Sequence, residues 1–268
     1  MTWLSIHFYP LETENVFLSR AVRPFLEQFV WPVSGARAFF IRFEDEKGRH
    51  IRLRIRGEAA WIEESLRPAL EGWFEGRGSR EEVPFSPETE RFGGPENLTW
   101  AEEYFHISTR VVLDRLRQDT YTYGDAMYDA LRMHTITAFA AGFDREKTVW
   151  YFSRLCDQWL EVFFPAEENN QEQPDGEFWK ARFDKSFAPQ KEVLQATLRG
   201  LWKALQDEKF DKKQREWVRW LRGNQLTLPE FGNTLDKVLP SLLHLTNNRL
   251  GVNNQDEVYL NYILANAV

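Results

Sequence analysis

Arginine recurs at every second position in the segment His50-Ile51-Arg52-Leu53-Arg54-Ile55-Arg56-Gly57. In an extended chain this period puts Arg52, Arg54 and Arg56 on one face and Ile51, Leu53 and Ile55 on the other. Like charges about 7 Å apart repel one another, and they are tolerated beside water or around a bound anion. The segment alone therefore supports two readings. One is a solvated sheet face; the other is a carboxylate-binding site, because a guanidinium offers planar, paired donors. His7, on an earlier alternating segment, is expected near the same face.

Two further groups carry polar side chains at structured spacings. In Phe85-Ser86-Pro87-Glu88-Thr89-Glu90-Arg91-Phe92-Gly93-Gly94-Pro95, Glu88 and Arg91 are three apart and can pair across one helical turn. The same pair equally suits a capped turn with a surface ion pair of little value. In Leu239-Pro240-Ser241-Leu242-Leu243-His244-Leu245-Thr246-Asn247-Asn248-Arg249-Leu250-Gly251, leucines surround His244 on nearly every side. His244 and Asn248 share a helical face, with Arg249 one position round. Polar groups in so apolar a helix need partners, either from the core or from a ligand. His50, His106 and His134 lack metal-ligand spacing and read as structural. No phosphate-binding loop, nucleophile elbow or HExxH sequence occurs, so neither a metal nor a cofactor is expected.

The elements that must hold these groups follow from periodicity. Leu4, Ile6 and Phe8 alternate with Ser5, His7 and Tyr9, the mark of a half-buried strand. Residues 14–29 read as a helix and 37–43 as a second strand with Phe39, Ile41 and Phe43 facing one way. Asp45-Glu46-Lys47-Gly48 is a turn, and 50–56 forms a third strand antiparallel to the second. The helix-facing side of the first two strands is expected to carry the apolar side of the third. A helix over 58–74 and a fourth strand over 81–85 complete the order β-α-β-β-α-β, which is the ferredoxin-like arrangement. After Gly93-Gly94-Pro95 the pattern is helical, starting with a helix capped by Asn97 or Thr99 and running to Arg117. Others are expected near 124–141, 144–163, 190–207, 212–222, 234–249 and 255–266. Tyr121-Thr122-Tyr123-Gly124-Asp125 reads as a linker and helix cap, and Pro165 to Gly176 as an acidic, Asn/Gln-rich surface loop. The fold class is α+β: a small antiparallel sheet with covering helices over 1–95, and a helical region over 96–268 packed with it as one domain.

Composition limits what such a chain can do. With 268 residues, 43% of them hydrophobic, it can bury a sizeable core. Its 11 Trp and 21 Phe supply thick packing layers. A formal net charge of -7 provides no overall basic field for nucleic acid, although a local cationic pocket remains possible. One cysteine, Cys156, leaves no intrachain disulfide framework. The N-terminal residues lack the pattern of a signal peptide, and no apolar run is long enough for a membrane span. A cytoplasmic protein with no membrane contact and no direct nucleic-acid partner is expected.

Taken in order, the polar groups resemble those of the lantibiotic dehydratase C-terminal domain, also found as the thiopeptide-type bacteriocin biosynthesis family. The resemblance rests on Trp3 to Tyr9, on Phe39-Phe40-Ile41-Arg42-Phe43 and on His50 to Arg54. It continues in Pro87 to Gly94, in Ala101-Glu102-Glu103-Tyr104-Phe105 and in His244 to Leu250. It extends over nearly the whole chain, with few motif residues between about 120 and 230. Phe92 stands where tyrosine is usual, and Ile107 where an acidic residue often precedes Ser108.

The resemblance implies a lyase that removes glutamate from glutamylated Ser or Thr of a precursor peptide, leaving dehydroalanine or dehydrobutyrine. It maps elimination-site residues onto Arg52, Arg54, Glu88, Arg91 and His244. Chemistry gives each type a task. Removing the α-proton needs a base, the enolate needs donors, and the departing glutamate needs cations. On this reading His244 transfers the proton, Arg54 and Arg91 are catalytic cations, and Glu88 orients an arginine. Arg52, Arg56, Asn248, Arg249 and His7 bind substrate. The implied partners are the precursor peptide, leader and core, and a separate tRNA-dependent glutamyl transferase. Two alternatives stay open: a [4+2] pyridine synthase of thiopeptide maturation, and a non-catalytic subunit that binds the precursor.

Overall fold

The computed structural model describes residues 1–117, 120–165, 176–210 and 213–268. The protein is mixed α/β, with a four-stranded antiparallel sheet and a majority of helix. Most of the expected loop from Pro165 to Gly176 lies outside the described residues. The chain groups into two compact units, 1–121 with 230–249, and 122–229 with 250–268.

The first unit contains the sheet. Its strands are β1 (Thr2–Pro10), β2 (Arg37–Asp45), β3 (Gly48–Gly57) and β4 (Gly78–Glu82), in the order β2-β3-β1-β4. Leu4, Ile6 and Phe8 of β1 pair with Ile55, Leu53 and Ile51 of β3, so one face is apolar throughout. Two helices cover that face: α1, residues 14–30, and α2, residues 59–73. Phe8 packs on Phe17 of α1 and on Phe74 just beyond α2, at ring distances of 5.4 and 4.5 Å. Burial of such rings is the main term holding helices to sheet.

Both helices contain an internal proline, Pro24 and Pro68, that should break them. Each continues because the turn before the proline is widened to π-type pairing, at Leu18–Val22 and Ile62–Leu66. The wider turn moves aside the carbonyls that the proline ring would strike.

β2 is an edge strand, yet its outward backbone groups are not left bare. Helix α3 (Pro95–Arg115) brings Nδ1 of His106 within 3.1 Å of the amide and carbonyl of Ala38. Its Thr109 hydroxyl accepts from the Phe40 amide at 3.3 Å. Asn248, on a later helix, accepts from the Arg42 amide and donates to the Arg42 carbonyl, both at 2.9 Å. One asparagine amide thus replaces a strand residue.

One expectation about the sheet is corrected. β2 places Phe39, Ile41 and Phe43 opposite Arg54, Arg52 and His50, so they lie on the arginine face. The helix-facing positions are Ala38 and Phe40. β2 is apolar on both sides, so its alternation did not identify the inner face. The fourth strand also begins earlier than expected, at Gly78 rather than residue 81.

The second unit is helical: α4 (Tyr123–Ala140), α5 (Arg145–Phe163), α6 (Gly176–Phe187), α7 (Lys191–Gln206), α8 (Arg215–Thr227) and α10 (Asn254–Ala267). Only α6 was not anticipated. Thr122 and Asp125 form a capping box at the start of α4, and Asn253 caps α10. Trp217 and Trp220 are fully buried, with Trp220 donating to the Met133 carbonyl at 2.9 Å. No described helix is long and apolar enough to cross a membrane.

Candidate functional site

The arginine face of the sheet gathers most of the residues that sequence singled out. Trp3, Ser5 and His7 of β1 stand opposite Arg56, Arg54 and Arg52 of β3. These three arginines differ in what surrounds them. Arg56 donates to Glu102 of α3 at 2.7 Å, and Glu102 is almost fully buried. That pair ties the helix to the sheet. Arg52 is half-buried, with its guanidinium 3.3 Å over the ring of Phe43. Burial lowers its pKa, opposed by the charges of Asp45, Tyr9 and Glu88.

Arg54 is 8% exposed, and its Nε and Nη1 have no hydrogen-bond partner among the described residues. Burial, then the like charge of Arg52, lower its pKa to about 10, so it stays cationic at neutrality. Among the described residues no carboxylate opposes these effects. Beside it, the Ser5 hydroxyl and Nε2 of His7 are also buried without hydrogen-bond partners among the described residues. A buried charge of this kind costs several kcal/mol unless something neutralises it. An unpaired guanidinium beside a hydroxyl and an imidazole, with no described carboxylate against it, suits an anion. Phe85 roofs the group, 5.1 Å from the Arg54 guanidinium and packed on Trp3 and Phe39.

The turn after Phe85 supplies the next pieces. The short helical turn Thr89–Phe92 ends in Gly93 and Gly94, both at positive φ, 83° and 105°. A side chain at Gly93 would meet the Asn97 amide at 2.8 Å, so the chain needs glycine to turn here and enter α3. The turn pairs Arg91 with Glu88 at 2.9 Å. Nε of Arg91 also donates to Ser241 at 3.2 Å. Ser241 lies on α9 (Leu235–Leu250), three residues before His244.

Ser241, His244 and Asn248 form the half-exposed stripe of α9, while the residues between them are buried except at the edges. Arg91 holds the stripe at Ser241, and the backbone of Arg42 holds it at Asn248. His244 stands between those two anchors. Arg249 is different: it is fully buried, donates to the Leu245 carbonyl at 2.9 Å and lies 4.8 Å from the Phe105 ring. Burial lowers its pKa to about 9, opposed by Tyr104. The structure therefore joins Arg52, Arg54 and His7 on one face and links Glu88 and Arg91 to the helix of His244. It gives Arg56 and Asn248 protein partners and encloses Arg249 away from solvent.

Sequence reasoning read His50 as structural and passed over Ser5. The available signal was the strand period, which puts His50 on the side of Arg52 and Ser5 on the side of His7.

The histidines give the first unit a pH dependence. Burial, then Arg52, Arg54 and His50, lower His7 from 6.5 to about 4, against the opposing charge of Glu81. Burial lowers His106 likewise to about 4, opposed chiefly by Glu103. Between those values the unfolded chain binds more protons than the folded one. Stability is thus complete above about pH 6.5 and is lost as pH falls toward 4. Urea midpoints measured from pH 7 down to 4 should fall steadily, and a flat profile would contradict this account.

With this geometry in place, comparison with known proteins decides the family. The family described as "Lantibiotic biosynthesis dehydratase C-term" matches residues 3–268. The chain belongs to it. Membership in the lantibiotic dehydratase C-terminal family implies an enzyme of ribosomal-peptide biosynthesis. Among curated proteins no sequence relative matches. Among the solved structures that share the fold are the following three. The pyridine synthase TbtD, from thiomuracin biosynthesis, aligns with a TM-score of 0.73 and 15% identity, over 100% of this chain and 97% of its own. TsrL aligns at 0.70 and 17% identity, over 99% of this chain and 93% of its own. The tRNA-dependent lantibiotic dehydratase MibB from Microbispora sp. 107891 aligns at 0.61 and 21% identity. There the match covers 99% of this chain and 28% of MibB.

Proposed function

We propose that this protein eliminates glutamate from glutamylated Ser or Thr residues of a precursor peptide. The observation that carries the reading is Arg54, a buried cation beside Arg52 and His7 whose Nε and Nη1 meet no acceptor and no counter-charge among the described residues. A departing glutamate is an anion of the matching kind. In the reaction a base takes the Cα proton, the double bond forms between Cα and Cβ, and the Cβ–O bond breaks to release the carboxylate. His244 takes the proton. Arg54 and Arg52 hold the leaving group, with His7 neutral beside them. Arg91, oriented by Glu88, stabilises the enolate oxygen. The glutamylated peptide would come from a separate tRNA-dependent glutamyl transferase, and the reaction would run in the cytoplasm.

A second reading is [4+2] pyridine synthesis, favoured by one observation: the fold aligns with that of TbtD at a TM-score of 0.73 and with that of MibB at 0.61. One assay separates the two. The purified protein is mixed with a glutamylated precursor, and with the same peptide already carrying dehydroalanines, and the products are weighed. Loss of glutamate from the first supports elimination. Leader release and ring closure on the second alone would replace it.

We also read the N-terminal elements as a ferredoxin-like unit, on the strand order β2-β3-β1-β4 and the placing of α1 and α2 on one face.

A further inference from the structure

We propose that His50 is a positioning residue, locked in one tautomer, that aims the Arg52 guanidinium at the bound anion. The inference rests on the reading of Arg52 as an anion binder. Nε of Arg52 lies 3.1 Å from Nε2 of His50. Arginine has donors only, so Nε2 must offer its lone pair. The proton of a neutral ring then sits on Nδ1, which lies 3.0 Å from the Gly48 carbonyl and donates to it. Asp45, the nearest carboxylate, is farther from Nδ1, at 3.8 Å. Both ring nitrogens are thus engaged, and only one tautomer satisfies them.

The surroundings hold the ring in place. His50 is fully buried, packed by His7 at 5.0 Å, Tyr9 at 4.7 Å and Phe43 at 5.5 Å. Phe43 also carries the flat face of Arg52. His50 thus holds Nε of Arg52 while Phe43 covers one face of the guanidinium. Its terminal nitrogens have no partner among the described residues, so they are the donors left for an anion. Gly48, which receives the His50 proton, closes the β2-β3 turn at φ 103°. The turn therefore sets His50, and His50 sets Arg52. An arginine held in this way loses less rotamer entropy when it binds a carboxylate.

The test uses L-glutamate as the probe, with the whole protein and calorimetric titration. His50→Phe keeps the ring packing and loses both the acceptor for Arg52 and the donor to Gly48. His50→Gln keeps an oxygen where Nε2 stood. His50→Phe should weaken glutamate binding about tenfold, the worth of one hydrogen bond to a charged group, with little change in melting temperature. His50→Gln should restore most of it. Equal binding by His50→Phe and wild type would overturn the proposal. Arg52→Gln is the control: if that variant binds glutamate normally, the reading of Arg52 fails rather than the role of His50. The tautomer is tested without any variant. Nitrogen NMR of the wild-type protein should show His50 protonated at Nδ1 and bare at Nε2, and a proton on Nε2 would end the argument.

Discussion

Replacing Arg54 by methionine is expected to cut glutamate elimination by about a hundredfold or more while leaving the protein at least as stable as wild type. The two effects have one cause. Arg54 is 8% exposed, two of its donors have no partner among the described residues, and burial, then the like charge of Arg52, lower its pKa. Losing a donor that stabilises developing charge typically costs about 10²–10³ in rate. Removing a buried charge in favour of an apolar chain of similar length often stabilises, by about 1–4 kcal/mol. A residue kept for the fold would behave oppositely, since its loss would lower stability. Turnover of glutamylated peptide and the urea midpoint, measured on one preparation, read both quantities. A less stable variant with normal turnover would show Arg54 to be structural.

Replacing His244 by alanine should let glutamylated peptide accumulate, with turnover reduced by about 10²–10⁴, the usual contribution of a positioned base. Peptide binding should change far less. His244 is half-exposed, and its helix is anchored on either side by other residues, Ser241 through Arg91 and Asn248 through Arg42. By helical rise those anchors lie about 4.5 and 6 Å along the axis from it. The substitution therefore removes an imidazole and leaves the contacts that place it. Mass spectrometry of the peptide pool against time gives the result, and turnover at the wild-type rate would remove His244 from the reaction.

Period and capping made most of the elements legible. The alternation of β1 and β3 gave strands with correct inner faces, and the helices from α3 onward, α6 apart, lie within a few residues of their expected ranges. What escaped has physical reasons. β2 has apolar residues at both parities, so hydrophobicity could not say which side faced the helices. Pro24 and Pro68 marked breaks that widened turns absorb. Pairings between distant segments left no trace in local spacing. Glu102 is 46 residues from Arg56, and Asn248 is 206 from Arg42. Sequence could name Arg56 and Asn248 as polar residues needing partners, but not say that the protein itself supplies them. The unpaired state of Arg54 was equally hidden, because it depends on what fails to approach.

The side chains along the outer rim of β2 also decide where a peptide substrate can join the sheet. An exposed edge strand recruits extended chains, whether a proper ligand or another unfolded molecule. At β2 the amides of Ala38, Phe40 and Arg42 already face His106, Thr109 and Asn248, so strand addition is blocked there. The opposite rim, β4, is five residues long and reads Gly-Ser-Arg-Glu-Glu, too short and too charged to favour indiscriminate pairing. A precursor that docks as an added strand must do so at β4, beside the Glu81 and Glu82 carboxylates. That restricts the register it can adopt and discourages self-association of the enzyme.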